Sequence, residues 1–270
     1  MLNEALDLLK NQYEQTKEEV AGQKFYEMYC NEKWRHSMQV FGAGNYLVRR
    51  IKWLKNKPAE YVEMVKTAIL LHDVCRFKEI SSLAKGKKID HGVEGAKFLH
   101  QTELFNDIRI CLPIKHHGHL IEALYDDEQY QNLPKDLQKE VELICFIIRD
   151  ADKIANLHML AYEPEIRPLF TGEGTGDEKK DFSISDFAKK DAFSGLTVRR
   201  IPECTKADRM LGFLTWFNDI NYRYSVDFCL KLKVVEILKD YFAQICNDKE
   251  FVQQYFAYFD ECLRDRAFLD

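Results

Sequence analysis

No stretch of this sequence is apolar for long enough to span a bilayer. Runs such as "LICFII" (143–148) stop far short of the roughly 20 residues a crossing helix needs. A basic excess is missing too: 39 Lys and Arg face 44 Asp and Glu, a formal charge of −5. Basic clusters are no larger than "KGKK" (85–88). Proteins that bind long nucleic acid through its backbone rely on such an excess, so long DNA or RNA is set aside as a partner. A small anionic partner is not set aside, because a metal ion can supply positive charge. The first residues, "MLNEALDLLKNQYEQTKEEV", lack the basic start, apolar centre and small-residue cleavage site of a signal peptide. The eight Cys include no Cys-x-x-Cys pair, which argues against a zinc ribbon or a dithiol redox site. They read instead as reduced thiols filling the core of a cytoplasmic protein, with no membrane partner. The Gly-rich "TGEGTGDEKK" (171–180) lacks the Gly-Lys-Ser/Thr ending and the preceding strand of a phosphate loop. Strict alternation is short and rare, and there is no internal repeat.

What is present is helical periodicity. The chain has 270 residues, 46% hydrophobic and 31% charged, values of a globular protein with a substantial core. Apolar residues recur at spacings of three and four over 2–9, 40–54 and 141–160. Pro58 and Pro134 each precede such a pattern, and Asp90 can cap a helix beginning at "HGVEGAKFL". The helix after Pro58 becomes apolar on all sides toward "AILLHDV", which predicts burial of its second half. Gly42 and Gly44 in "FGAGNY" predict close helix packing rather than a nucleotide site. The fold class is all-α over 1–270. A core over 30–165 is followed by a surface excursion over 166–182 and a C-terminal helical layer over 183–270.

The His and Asp residues fall at the ends of these elements. His36 lies in "WRHSMQV", His72 and Asp73 in "LLHDVCRFKE", and His91 in "IDHGVEGAKFL". His116 and His117 lie in "IKHHGH", and Asp150 and Asp152 in "IIRDADKIAN". Imidazole combined with carboxylate suits iron, manganese, zinc, nickel or cobalt. A carboxylate between two ions can bridge them, and such a pair activates water and steadies a transferring phosphoryl group. Alone, His72-Asp73 reads as well as a capping pair in the core, and a buried Asp152 needs a partner of some kind. Arg76 either pairs with Glu79 on the surface or meets a phosphate, for which its planar charge is suited. Cys75 stands beside the candidate site.

In order and context these pieces resemble the HD-domain superfamily of metal-dependent phosphohydrolases. Within it they look like the bacterial hydrolases with "LLHD-x-x-RF", "DH-x-x-x-G" and "IRDADK" helices; the aromatic "WFNDINYRYS" (216–225) is similar to a closing helix of that group. The resemblance implies an HD-like helical bundle with extra C-terminal helices. It implies a metal site of His36, His72, Asp73 and Asp152, with Asp152 preferred to Asp150 because "ADK" matches the pattern. It further implies that His91 and His116 bind a second ion bridged by Asp73. His117 is left as ligand, proton donor or substrate contact, and Lys115 as a weaker phosphate contact. Glu94, three residues after His91, would orient it or join the second ion. Asp73, Arg76 and His117 are the expected catalytic group. The cofactor would be one or two divalent transition-metal ions, and the substrate a small phosphate ester or nucleotide. Two alternatives stand beside hydrolysis: a di-iron oxygenase on the same scaffold, and a non-catalytic nucleotide-binding module. Tyr222 and Asn221 read mainly as packing, with a role in the pocket as the alternative.

Overall fold

A computed structural model describes residues 1–172 and 177–270. The reading of "TGEGTGDEKK" therefore falls in part, at 173–176, outside the described residues. The fold is all-α: among the described residues there is no strand, only one isolated bridge between Tyr222 and Leu269. No helix among them is long and apolar enough to cross a membrane.

Packing divides the chain into two compact units, Met1–Ala155 and Asn156–Asp270. The first carries α1 (Leu2–Glu19), α2 (Lys24–Val48), α3 (Ala59–Leu70), α4 (Arg76–Ala84), α5 (His91–His100) and α6 (Ile108–His116). Two single turns follow, α7 (Glu122–Tyr125) and α8 (Glu128–Gln131), and then the long α9 (Lys135–Tyr162), which begins in this unit and runs past its last residue. The division comes ten residues before the expected end of the core at 165, and α1 belongs to the first unit although the expected core begins at 30.

The local causes are visible in the sequence. Buried residues of α2 recur at Cys30, His36, Val40, Ala43, Gly44 and Leu47, one apolar stripe at helical spacing. Gly44 lets α2 lie on α3: a Cβ there would come within 2.6 Å of Ile69 Cγ2. Gly42 faces open space, so only one of the two glycines serves packing. The end of α3 and the turn after it, Val65 and Ala68–Cys75, are buried, as an all-round apolar run requires. Asp90 caps α5 by accepting from Val93 N at 3.0 Å. A Cβ on Gly92 would stand 2.8 Å from the Lys115 carbonyl, so glycine is needed where α5 meets α6.

In the second unit, α10 (Arg167–Thr171), α11 (Glu178–Asp181) and α12 (Asp186–Ala192) are short. Between 166 and 182, where a surface excursion is expected, the described residues thus contain two helical segments. Longer helices follow: α13 (Lys206–Thr215), α14 (Arg223–Lys231), α15 (Val234–Ile245) and α16 (Lys249–Asp265). Thr205 and Asp208 form a reciprocal capping box at the start of α13. Phe213, Phe217, Tyr222, Phe242 and Tyr255 are fully buried and form this unit's aromatic core.

Candidate metal centre

Five elements of the first unit deliver donors to one place. His36 comes from the middle of α2, His72 and Asp73 from the turn after α3, and His91 from the first turn of α5. His117 caps the end of α6, and Asp152 comes from α9. Ligand atoms of His36, His72 and Asp73 lie within 4.8 Å of one another, and so do those of Asp73, His91 and His117. Asp73 belongs to both groups. Its Oδ2 is 3.7 Å from His72 Nε2, while its Oδ1 is 3.2 Å from His91 Nε2 and 3.4 Å from His117 Nε2. Asp152 Oδ1 stands 2.9 Å from His36 Nε2, a close contact that is misaligned for a hydrogen bond. Asp150, about 200° round the helix from Asp152, is fully buried.

Backbone carbonyls fix two of the imidazoles. His72 Nδ1 donates to Ile69 O at 2.9 Å, and His117 Nδ1 donates to Ile114 O at 2.7 Å. A carbonyl can only accept, so each Nδ1 carries the proton and each Nε2 presents a lone pair. Both lone pairs point toward the Asp73 carboxylate, which is itself an acceptor. His72 Nε2 and Asp73 Oδ1 are buried with no hydrogen-bond partner. Acceptor facing acceptor in a buried place is unfavourable unless a cation stands between them. These donors fit a divalent transition metal, and the Nδ1–carbonyl bonds are the usual outer support of a metal-binding imidazole. His36 lacks that support: neither of its ring nitrogens has a hydrogen-bond partner.

The charges agree with this arrangement. Burial pushes His72 down to about 4, against the pull of Asp73, so it is neutral at pH 7. Burial raises the Asp73 carboxyl, but Arg76, His72 and His91 outweigh it and hold the group well below the usual carboxylate range. Asp152 is likewise held down, with His36 and His72 overcoming burial. Burial lowers His91 while Asp73 and Glu79 lift it, with a net shift upward that Arg76 opposes. Ionised carboxylates and a neutral His72 are the forms that bind metal.

His116, expected as a ligand, points elsewhere. Its Nε2 donates to Asp127 Oδ2 at 2.7 Å, and Lys115 Nζ meets the same oxygen at 2.6 Å. His117 stands where His116 was expected, because neighbours on a helix turn about 100° apart. Glu94 faces Lys78 and Lys97 rather than His91. Glu79 is the carboxylate beside His91, 3.4 Å from Nδ1. Arg76 pairs with Glu79, and its other nitrogens reach Asp73 Oδ2 at 3.4 Å and His91 Nε2 at 2.8 Å. Tyr222 is fully buried in the aromatic core, and the Asn221 carbonyl accepts from Leu269 N.

The sequence reading passed over two residues. Lys33 lies one turn before His36, so it shares that face of α2; it feels Arg76, Asp73, Asp152 and Glu79, and burial lowers its ammonium. The only signal for it was the three-residue spacing. Arg149 is 2% exposed, and its Nη1 donates to the carbonyls of His116, His117 and His119. It ties α9 to the end of α6 and so holds His117 in place. Arginine near the last carbonyls of a helix is a known cap, but its target lies more than thirty residues away and is invisible to local patterns.

Residues 34–157 match the family model of the HD domain, and over that stretch the chain is an HD domain. The match begins just before His36 and ends just after Asp152. No curated protein and no solved structure matches the chain significantly.

Proposed function

We propose that the chain is a metal-dependent phosphohydrolase acting on a small phosphate ester or nucleotide. The observation that carries this is the buried pair of imidazole lone pairs, from His72 and His117, aimed at the shared Asp73 carboxylate. His36, His72, Asp73 and Asp152 would hold an ion. A divalent ion there supplies Lewis acidity toward a phosphoryl oxygen and lowers the pKa of water.

The other residues bind and orient. A cleft of about 420 Å³ is lined by the cations Arg76, Lys88 and Lys115, by the acids Glu79 and Asp90, and by His91, His117 and His119. The cations outnumber the acids, which favours an anionic ligand. Arg76 offers donors suited to phosphate oxygens, and Lys33 adds charge from α2. His117, its Nδ1 proton fixed on Ile114 O, directs Nε2 into the site. A cleft of this size takes a small molecule, not a polymer.

The test is a panel of phosphomonoesters and nucleotides with Mn²⁺, Fe²⁺, Co²⁺, Ni²⁺ or Zn²⁺, comparing wild type with His72→Ala and Asp73→Ala. Turnover that falls by at least about 10³-fold in both variants is expected, in line with loss of a metal-centred step. Full activity in Asp73→Ala would overturn the reading. Turnover that needs oxygen would replace hydrolysis with oxygenase chemistry on the same ligands. Tight nucleotide binding without turnover under every metal would leave a binding module.

A further inference from the structure

Asp73 serves two groups of donors, and one of them already has a cation beside it. The Arg76 guanidinium stands 2.8 Å from His91 Nε2 of the second group and contacts Glu79 Oε2, itself 3.4 Å from His91 Nδ1; its Nε is 3.4 Å from Asp73 Oδ2, the oxygen nearer His72. Its side chain is only 19% exposed, so it is a built-in part of the site rather than a surface charge.

A guanidinium has donors and no acceptor, so at 2.8 Å it bonds His91 Nε2 through the lone pair of the neutral ring, the form in which His91 could bind a metal. An imidazole nitrogen has one such lone pair. A metal ion held by Asp73, His91 and His117 needs that same lone pair, and both cannot have it. The first group, His36 with His72, Asp73 and Asp152, has no such competitor on its nitrogens.

Resting on the metal reading of that first group, we propose that Arg76 is the resident cation of the second. With its guanidinium on His91 the centre holds one ion, and a second enters only when Arg76 leaves. The number of ions is thus set by a side chain of this protein and not by the donor count.

The experiment titrates Mn²⁺ into the full metal-depleted chain and counts bound ions for wild type, Arg76→Ala and Arg76→Met. Calorimetry gives the affinities, and melting curves show whether each variant is folded. About one ion is expected for wild type and about two for both variants at the same free Mn²⁺. The second site should tighten by about tenfold or more, the size of one charge-assisted hydrogen bond removed. His117→Ala added to Arg76→Ala should return the count to about one. Two ions of similar affinity in wild type would overturn the proposal. So would a folded Arg76→Ala or Arg76→Met chain that still binds one. No ion in wild type would overturn the metal reading itself, and this inference with it. Wild type alone therefore separates the two failures, even if a variant does not fold.

Discussion

At the scale of residues, the two adjacent histidines of "KHHGH" divide their work. His117 faces Asp73, and His116 is hydrogen-bonded to Asp127 in a buried position. His117→Ala should therefore lower activity by about 10- to 100-fold, the range for removing close support of a metal site, while the ion on His36, His72, Asp73 and Asp152 stays bound. His116→Ala should instead destabilise the fold by about 1–3 kcal/mol, because Asp127 loses a buried donor. Turnover assays and thermal melting of the two variants check this; equal loss of activity at equal stability in both would contradict it. The sequence reading assigned both a place in the site, His116 as a ligand of a second ion and His117 as ligand, proton donor or substrate contact. It did not separate them, because that depends on how the end of α6 turns over Arg149, a contact made across more than thirty residues. Lys33 was missed for the opposite reason: it is near His36 in the chain, but its partners, Asp73 and Glu79, come from other elements.

At the scale of elements, glycines decide how closely the ligand-bearing helices approach. Gly44 touches Ile69 and Gly92 touches the Lys115 carbonyl, whereas a Cβ on Gly42 would meet nothing within 4 Å. Gly44→Ala and Gly92→Ala should each destabilise by about 1–3 kcal/mol through overpacking. Gly42→Ala should stabilise by up to about 1 kcal/mol, because Ala is the better helix former in open space. Denaturant unfolding of the three variants checks the order, and a destabilised Gly42→Ala would contradict it. Gly92→Ala has a second expected effect, since His91 precedes it and His117 lies just past the carbonyl it would push. Its activity should fall as well. Helix starts at Pro58, Asp90 and Pro134 were legible from local chemistry, as was the stop at His72-Asp73. The short helices between 164 and 192 were not, because a stretch rich in Pro, Gly and charge carries no periodicity over a single turn.

At the scale of the whole molecule, the stretch that matches the HD domain brings together candidate metal donors from elements between residues 36 and 152, so a bound ion would support the fold. An ion that binds only the folded chain stabilises it by about 2.7 kcal/mol at a hundred times its dissociation constant. For a chain of this size that is a rise of about 5–10 °C in melting temperature. Wild type should lose that rise when a chelator is added, and Asp73→Ala should show none with or without it. The charge of −5 and the small size of the basic clusters argue against long nucleic acid at this same scale, but no bulk property identifies a substrate. The most direct test of the account is elemental analysis of purified wild type beside Asp73→Ala. It predicts at least about one transition-metal atom per chain in wild type and essentially none in the variant, because Asp73 is the donor common to both groups. Equal metal in both proteins, or none in wild type after reconstitution, would contradict it.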